Sequence, residues 1–172
     1  MILTGLTEQS AYRIHVPRWA IAPTSGAGAA QHGGRLNRIG VPALYLALEE
    51  LTALEEYRQL STLMPPGLIV SYTVELASVV DFSQGYSADW DSLWQEVSCD
   101  WRRLWFNDHV EPPSWLLGDL AIEAGASGIL FPSMANPGGV NLVVYTDALG
   151  DQDRLDAYDP DGRLPVDQTS WL

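Results

Sequence analysis

The chain has 172 residues and a mass of 18.9 kDa, the size of one domain. Its net charge of −13 comes from 22 acidic residues against nine arginines, and lysine is absent. This excludes a Schiff-base or phosphate-loop lysine and argues against a nucleic-acid-binding surface. A single cysteine, Cys99, excludes an internal disulfide. No apolar run reaches the ~20 residues of a membrane span and no signal-peptide pattern is visible, so we expect a cytoplasmic protein without membrane contact.

The charges are unevenly distributed along the chain. Residues 1–48 contain four arginines and one acid, a balance of +3, whereas residues 49–172 have a balance of −16. A basic segment in a strongly acidic chain favours a focused site for an anion.

The first half of the chain predicts two strands, a loop and a helix. Alternation at 11–16 predicts a strand with Tyr12 on one face and Arg13 on the other. The Gly- and Ala-rich stretch 20–40 predicts a long loop, and the apolar run 43–47 predicts a strand buried on both faces. A helix is predicted over 50–63, because Pro65 and Pro66 follow it.

The second half predicts further strands, two helices and an irregular tail. Residues 68–76 alternate as a strand, and tryptophans spaced three or four apart predict a helix over 88–107. A second helix is predicted over 115–124, followed by strands at 128–133 and 141–145. From about residue 149 to 172 the chain is acidic and contains turn signals, which predicts an irregular tail. The interspersed elements predict one α+β domain over 1–172, with a mixed or mostly antiparallel central sheet flanked by helices.

Common catalytic and cofactor motifs are incomplete. Gly26 and Gly28 follow a strand, but the residues after them do not continue a dinucleotide-binding fingerprint. The three histidines lack metal-ligand spacing and Cys99 has no C-x-x-C partner, so we expect no metal. The nucleophile elbow of the serine hydrolases is absent.

Three segments, read together, carry a specific resemblance. They are YRI at 12–14 with GGRLNRIGVPALYLA at 33–47, TALEEYRQ at 52–59, and FPSMANPGGVNLVVY at 131–145. In this order they resemble the RES-domain family, the toxins of Xre–RES toxin–antitoxin modules, over a core of about residues 11–145. Leu36 departs from the family pattern, which has an aromatic residue there, and the stretch after Asn141 lacks the family's second Asn-Pro.

The resemblance implies a fold similar to that of ADP-ribosyltransferases and a toxin that consumes NAD as substrate without another cofactor. Motif matching assigns Arg35, Glu56 and Ser133 to catalysis and adds Arg13 and Tyr45 as NAD-binding residues. It further implies an Xre-type antitoxin that covers the active site, and a possible toxin homodimer.

The residue types suit this chemistry. Cleavage of the nicotinamide glycosidic bond passes through an oxocarbenium-like ribose, which a carboxylate stabilises. Guanidinium groups bind phosphate oxygens bidentately, as the pyrophosphate of NAD requires. Glu55 and Glu56 flank the apolar arc of their helix on opposite edges, so periodicity does not choose between them and only the motif register selects Glu56.

Three functions remain open from the sequence. The leading one is NAD glycohydrolysis or phosphorolysis, which depletes NAD and arrests growth. The second is ADP-ribosyl transfer to a cellular protein. The third is a degenerate domain that only binds its partner, an alternative that rests on Leu36.

Overall fold

A computed structural model describes residues 1–59 and 61–169. It contains six strands: β1 (Leu3–His15), β2 (Ala43–Ala47), β3 (Leu68–Asp81), β4 (Gly128–Pro132), β5 (Val140–Tyr145) and β6 (Arg154–Ala157). Three α-helices accompany them: α1 (Ala27–His32), α2 (Glu50–Arg58) and α3 (Ser114–Glu123). Short 3₁₀ turns lie at Pro17–Trp19, Ser92–Ser98 and Thr146–Ala148, and a π-helical turn at Arg103–Asn107. The predicted α+β class and mixed sheet are confirmed.

The strands form a sheet in the order β1-β2-β5-β4-β3-β6, and β1 pairs a second time with β3. This second pairing closes five strands into a ring, with β6 added to the edge of β3. Only β3 and β4 run parallel; the other pairs are antiparallel. Strands β1 and β2 meet at one residue pair, Tyr12 with Ala47. We call this single-pair junction the seam.

Apolar side chains pack on both faces of the sheet. The strand-side cluster consists of strand residues only: Ala11, Leu44, Leu46, Val70, Tyr72, Val74, Leu76, Val79, Leu130, Leu142 and Val144. The helix-side cluster lies between the sheet, α3 and residues 88–107, which we call the tryptophan-rich segment. It includes Leu36, Val80, Phe82, Trp90, Trp94, Leu117, Ile129, Phe131, Val143 and Tyr145. Because neighbouring residues of β2, β4 and β5 alternate between the clusters, these strands are buried on both faces, as predicted for residues 43–47.

Several predicted boundaries are wrong. The first strand begins at Leu3 rather than residue 11, because residues 3–10 pair with β3 through two register shifts. The predicted loop 20–40 contains α1, and α2 ends at Arg58 instead of continuing to residue 63. In the tail, Arg154–Ala157 pairs with Tyr72–Glu75, so the prediction of irregular structure is wrong there. Residues 170–172 lie outside the described residues.

The predicted helix over 88–107 is also wrong. A 3₁₀ turn at Ser92–Ser98 ends at Cys99, whose backbone is extended, and the chain resumes helical geometry only at Trp101. The tryptophans predicted on one stripe are nevertheless buried: Trp90 and Trp94 pack against Phe82 with ring centroids 4.8 and 5.1 Å from the Phe82 ring. Within the described residues, no helix is long and apolar enough to cross a membrane.

Candidate active site

A cavity of about 550 Å³ lies beside the seam, where β1 and β2 pair through a single residue each. Its walls come from β1, β2, α2, the loop after α1 and the turn between β4 and β5. The volume lies within the ~300–1,000 Å³ of small-molecule sites. Four charged side chains line it: Arg13, Arg35, Glu56 and Arg102. The cavity therefore has a positive excess inside a chain whose net charge is −13.

Glu56 provides the carboxylate of the cavity. It lies on α2, and its Oε1 accepts hydrogen bonds from Ser133 Oγ at 2.7 Å and Asn141 Nδ2 at 2.5 Å. Among the residues described, none donates to Oε2. The neighbouring Glu55 does not line the cavity; it forms an ion pair with Arg58 at 2.6 Å. The structure thus separates two carboxylates that helical periodicity left equivalent.

A polar network behind Glu56 holds it in place. Ser133 Oγ accepts a hydrogen bond from the backbone N–H of Asn136, whose side chain donates to Thr52 Oγ1 at 2.9 Å. Thr52 in turn donates to Glu49 at the start of α2. Ser133 is buried and does not line the cavity, so it acts on the site through Glu56. The network fixes α2 to the β4–β5 turn and thereby fixes the direction of the carboxylate.

The loop that carries Arg35 is held by a row of carbonyl contacts. The carbonyls of Gly34, Arg35 and Leu36 accept hydrogen bonds from Trp115 Nε1, Ser114 Oγ and Tyr145 Oη, respectively. Helix α3 approaches so closely that a Cβ on Gly118 would lie 2.1 Å from the Leu36 carbonyl. The Arg35 backbone is therefore rigid before any ligand binds.

The Arg35 side chain is anchored at one end. Its Nη1 donates to the carbonyls of Val97 and Cys99 at 2.8 and 3.0 Å. No described residue accepts from its Nε or Nη2. Burial lowers the pKa of Arg35, although Glu56 and Cys99 oppose the shift. The guanidinium lines the cavity with donors available for an anion.

Arg13 bridges the seam. Its Nη1 donates to the Tyr45 carbonyl at 2.8 Å, and its Nε is buried without a partner among the described residues. Burial lowers the pKa of Arg13. An unpaired buried donor is costly, so a ligand group that accepts from this Nε would offset that cost.

Tyr45 places its ring on the cavity wall and its hydroxyl in the interior. The hydroxyl donates to Asn37 Oδ1 at 2.8 Å and accepts from the Leu36 N–H at 2.9 Å. Burial raises the pKa of Tyr45. Its ring meets Phe131 edge to face, with centroids 6.5 Å apart. The ring is available for stacking, whereas the hydroxyl is committed to the Arg35 loop.

Two cavity residues escaped the sequence reasoning. Asn141 donates a hydrogen bond to Glu56. The sequence signal that could have identified it is a polar amide near the start of an otherwise apolar strand. Arg102 lines the cavity from the tryptophan-rich segment. The continuous helix predicted there gave no reason to place Arg102 in the site. In contrast, Leu36 is fully buried in the helix-side cluster and does not line the cavity. Its departure from the family pattern changes core packing rather than the cavity wall.

The RES-domain family model matches residues 10–167. The chain belongs to the RES-domain family. No curated protein matches it. Among solved structures, it is similar to the crystal structure of the M. tuberculosis MbcT–MbcA toxin–antitoxin complex, with 24% identity and a TM-score of 0.58. The alignment covers 90% of this chain and 85% of that one, which supports the RES fold. Over residues 1–59 and 61–169, no three His, Cys, Asp or Glu side chains cluster as a metal site requires.

Proposed function

We propose that this RES domain is the toxin of a toxin–antitoxin module and cleaves the nicotinamide glycosidic bond of NAD. The observation that carries the proposal is the carboxylate of Glu56, held by Ser133 and Asn141 in a cavity whose other charged lining residues are arginines. A molecule that is anionic along its length but develops positive charge at one carbon suits this arrangement. NAD has a pyrophosphate and, during cleavage, an oxocarbenium-like ribose.

The proposed reaction breaks the bond between C1′ of the ribose and the nicotinamide nitrogen. Nicotinamide leaves as a neutral molecule with the bonding electron pair, and positive charge spreads over C1′ and the ring oxygen. Glu56 stabilises that charge, which is the interaction that strengthens in the transition state. Water or inorganic phosphate then attacks C1′ and loses its proton, giving ADP-ribose or its 1-phosphate.

The other predicted residues take distinct roles in this proposal. Arg35 binds the pyrophosphate with the donors that its carbonyl contacts leave free, and Arg13 adds positive charge at the seam. The Tyr45 ring stacks on an aromatic part of the substrate. Ser133 positions Glu56 and does not itself contact NAD, because it lies behind the cavity wall.

The alternative of a degenerate binding domain loses its main argument. It rested on Leu36, which is fully buried and away from the cavity, while the charged set remains complete. The proposal therefore keeps catalysis.

The proposal includes an antitoxin that covers the cavity mouth. The similar M. tuberculosis fold was crystallised as a toxin–antitoxin complex, and the family resemblance implies an Xre-type partner. A toxin homodimer within that complex stays part of the expectation. Co-expression with the protein encoded beside it should restore growth, and mass determination of the purified complex would give the stoichiometry.

The decisive experiment measures nicotinamide release from NAD by the purified, antitoxin-free chain, with and without phosphate. Glu56→Gln is the test variant and Glu55→Gln the matched control, since these neighbouring carboxylates differ in facing the cavity. We expect release by the wild type and by Glu55→Gln, and a loss of about 100- to 1,000-fold for Glu56→Gln.

Each outcome decides between mechanisms. Dependence on phosphate would identify phosphorolysis, and its absence hydrolysis. Transfer of label from NAD to a protein would favour ADP-ribosyl transfer instead. A folded wild-type protein that releases no nicotinamide and labels no protein would refute the proposal.

A further inference from the structure

Among the described arginines, Arg102 combines exposure to solvent with a place on the cavity wall. It lies beside Trp101 on the cavity wall, with its guanidinium 4.6 Å from the centre of that ring. Trp101 is buried, whereas Arg102 is exposed at the mouth. A cation held against an aromatic face is oriented without a carboxylate, so its donors stay free for a ligand.

Most arginines of the described residues have a carboxylate partner, but Arg102 and the exposed Arg18, which lies 5.8 Å from the Trp19 ring, do not. Within residues 1–59 and 61–169, five of the nine arginines form ion pairs with carboxylates: Arg38, Arg58, Arg103, Arg154 and Arg163. Arg102 forms none, although the chain has 22 acidic residues to offer. Its immediate neighbour Arg103, exposed and outside the cavity, pairs with Asp108 at 3.4 Å.

The charges of Glu56 and Arg102 act in opposite directions on the pKa of Arg35. Burial is the main cause that lowers its pKa; the charge of Glu56 opposes the shift and the charge of Arg102 adds to it. Two guanidinium groups that face one cavity repel each other. An anion between them removes that repulsion and pairs both groups.

We infer that Arg102 is a substrate-binding residue that clamps the diphosphate together with Arg35. The inference rests on the proposed function and deepens it. With the scissile bond beside Glu56, Arg35 contacts the phosphate nearer the reacting ribose and Arg102 contacts the one nearer the mouth. Arg102 selects dinucleotides by their second phosphate, a contact present equally before and during bond cleavage.

The test compares Arg102→Ala with Arg103→Ala, two adjacent exposed arginines of which one lines the cavity. Calorimetry measures binding of ADP-ribose, which has both phosphates but no scissile bond. We expect Arg102→Ala to weaken ADP-ribose binding by about 10- to 100-fold and Arg103→Ala to change it by less than about twofold. In NAD cleavage, Arg102→Ala should raise KM by a similar factor and leave kcat unchanged.

The outcomes separate this inference from the proposed function. Equal effects of the two variants, or a wild type that does not bind ADP-ribose, would overturn the role of Arg102. A loss of kcat at unchanged KM would overturn it as well. Binding of ADP-ribose that depends on Arg102, in a wild type that leaves NAD intact, would uphold the clamp and refute the enzymatic proposal.

Discussion

The arginines that line the cavity differ from the ion-paired arginines of the surface. On the surface, Arg38 forms bonds with both Asp119 and Glu111, and Arg163 pairs with Asp161. In the cavity, Arg13 and Arg35 donate to backbone carbonyls instead of carboxylates. Among the described residues, five of the six arginines outside the cavity have a carboxylate partner. The sixth, the exposed Arg18, lies 5.8 Å from the Trp19 ring instead. None of the described arginines that line the cavity has such a partner.

This difference identifies the charges that the fold keeps for a ligand. Exposed ion pairs contribute only ~0–1 kcal/mol to stability, so the surface pairs matter little for the fold. Taking a guanidinium out of water without a counter-ion is costly. An acidic chain that leaves its buried arginines unpaired therefore accepts a stability cost that binding of an anion would offset.

Removing one arginine from each group should give the largest contrast. We expect Arg35→Ala to lower kcat/KM for NAD by about 100- to 1,000-fold, because a contact to the transition state is lost. Arg38→Ala, three residues along the same loop, should keep activity within about threefold. Steady-state nicotinamide release measures both. Equal losses would mean that the loop, and not the guanidinium, matters.

A buried histidine close to Arg13 contrasts with the cavity arginines, because the folded protein keeps it neutral. His15 is buried, and its pKa is lowered to about 4 by burial and by the charge of Arg13. Between pH 6.5 and 4 the unfolded chain therefore binds the proton more readily than the folded chain. We expect this residue to reduce the free energy of unfolding by roughly 3 kcal/mol as the pH falls from 7 to 4.

Urea unfolding at a series of pH values measures the effect. His15→Gln should flatten that part of the pH dependence, while the exposed His109→Gln should leave it unchanged. An identical pH dependence in all three proteins would show that folding does not lower the pKa of His15.

The support behind Glu56 should have a smaller effect than the arginine. Ser133→Ala removes the donor at 2.7 Å from Oε1, and bonds to charged groups contribute ~1.5–3 kcal/mol. We expect kcat to fall by about 10- to 100-fold with KM unchanged. The control is Ser127→Ala, a buried serine whose hydroxyl donates to the Ser78 carbonyl and has no contact with Glu56. Wild-type kcat in Ser133→Ala would exclude a positioning role.

The smallest effect is expected at a surface pair. Arg163→Ala should change the free energy of unfolding by less than ~0.5 kcal/mol and leave kcat/KM unaltered. Thermal unfolding and nicotinamide release check it. A large change in either quantity would contradict the expectation that ion-paired surface arginines contribute little to stability and activity.

Much of the sheet could be predicted because its strands are short apolar runs bounded by turn residues. The strand at 43–47 matches the structure, and the strand at 141–145 differs by one residue. The first part of β1, residues 3–10, could not be predicted, because its polar residues gain strand structure only by pairing with β3. The choice of Glu56 over Glu55 needed the motif, since two edges of one helix look alike until the neighbouring turn supplies Ser133.

The break in the helix predicted over 88–107 lies at a contact of the site. In a continuous helix the Val97 carbonyl would accept from the N–H of Trp101. Here that carbonyl accepts from Arg35, and the Trp101 N–H bonds to the Cys99 carbonyl instead. The spacing of the tryptophans predicted their burial correctly and the helix incorrectly. At Val97, a side chain 62 positions away in the sequence takes the carbonyl that a continuous helix would use.

The seam has a consequence for motion. A ring of strands that closes through one residue pair, Tyr12 with Ala47, opens there first, because local opening breaks only the contacts at that place. Opening would part Arg13 from the Tyr45 carbonyl and widen the cavity while both apolar clusters stay packed. Backbone amides beside the seam should therefore exchange with solvent deuterium sooner than those between β4 and β5. A ligand would then enter or leave the cavity through local opening of the sheet at the seam.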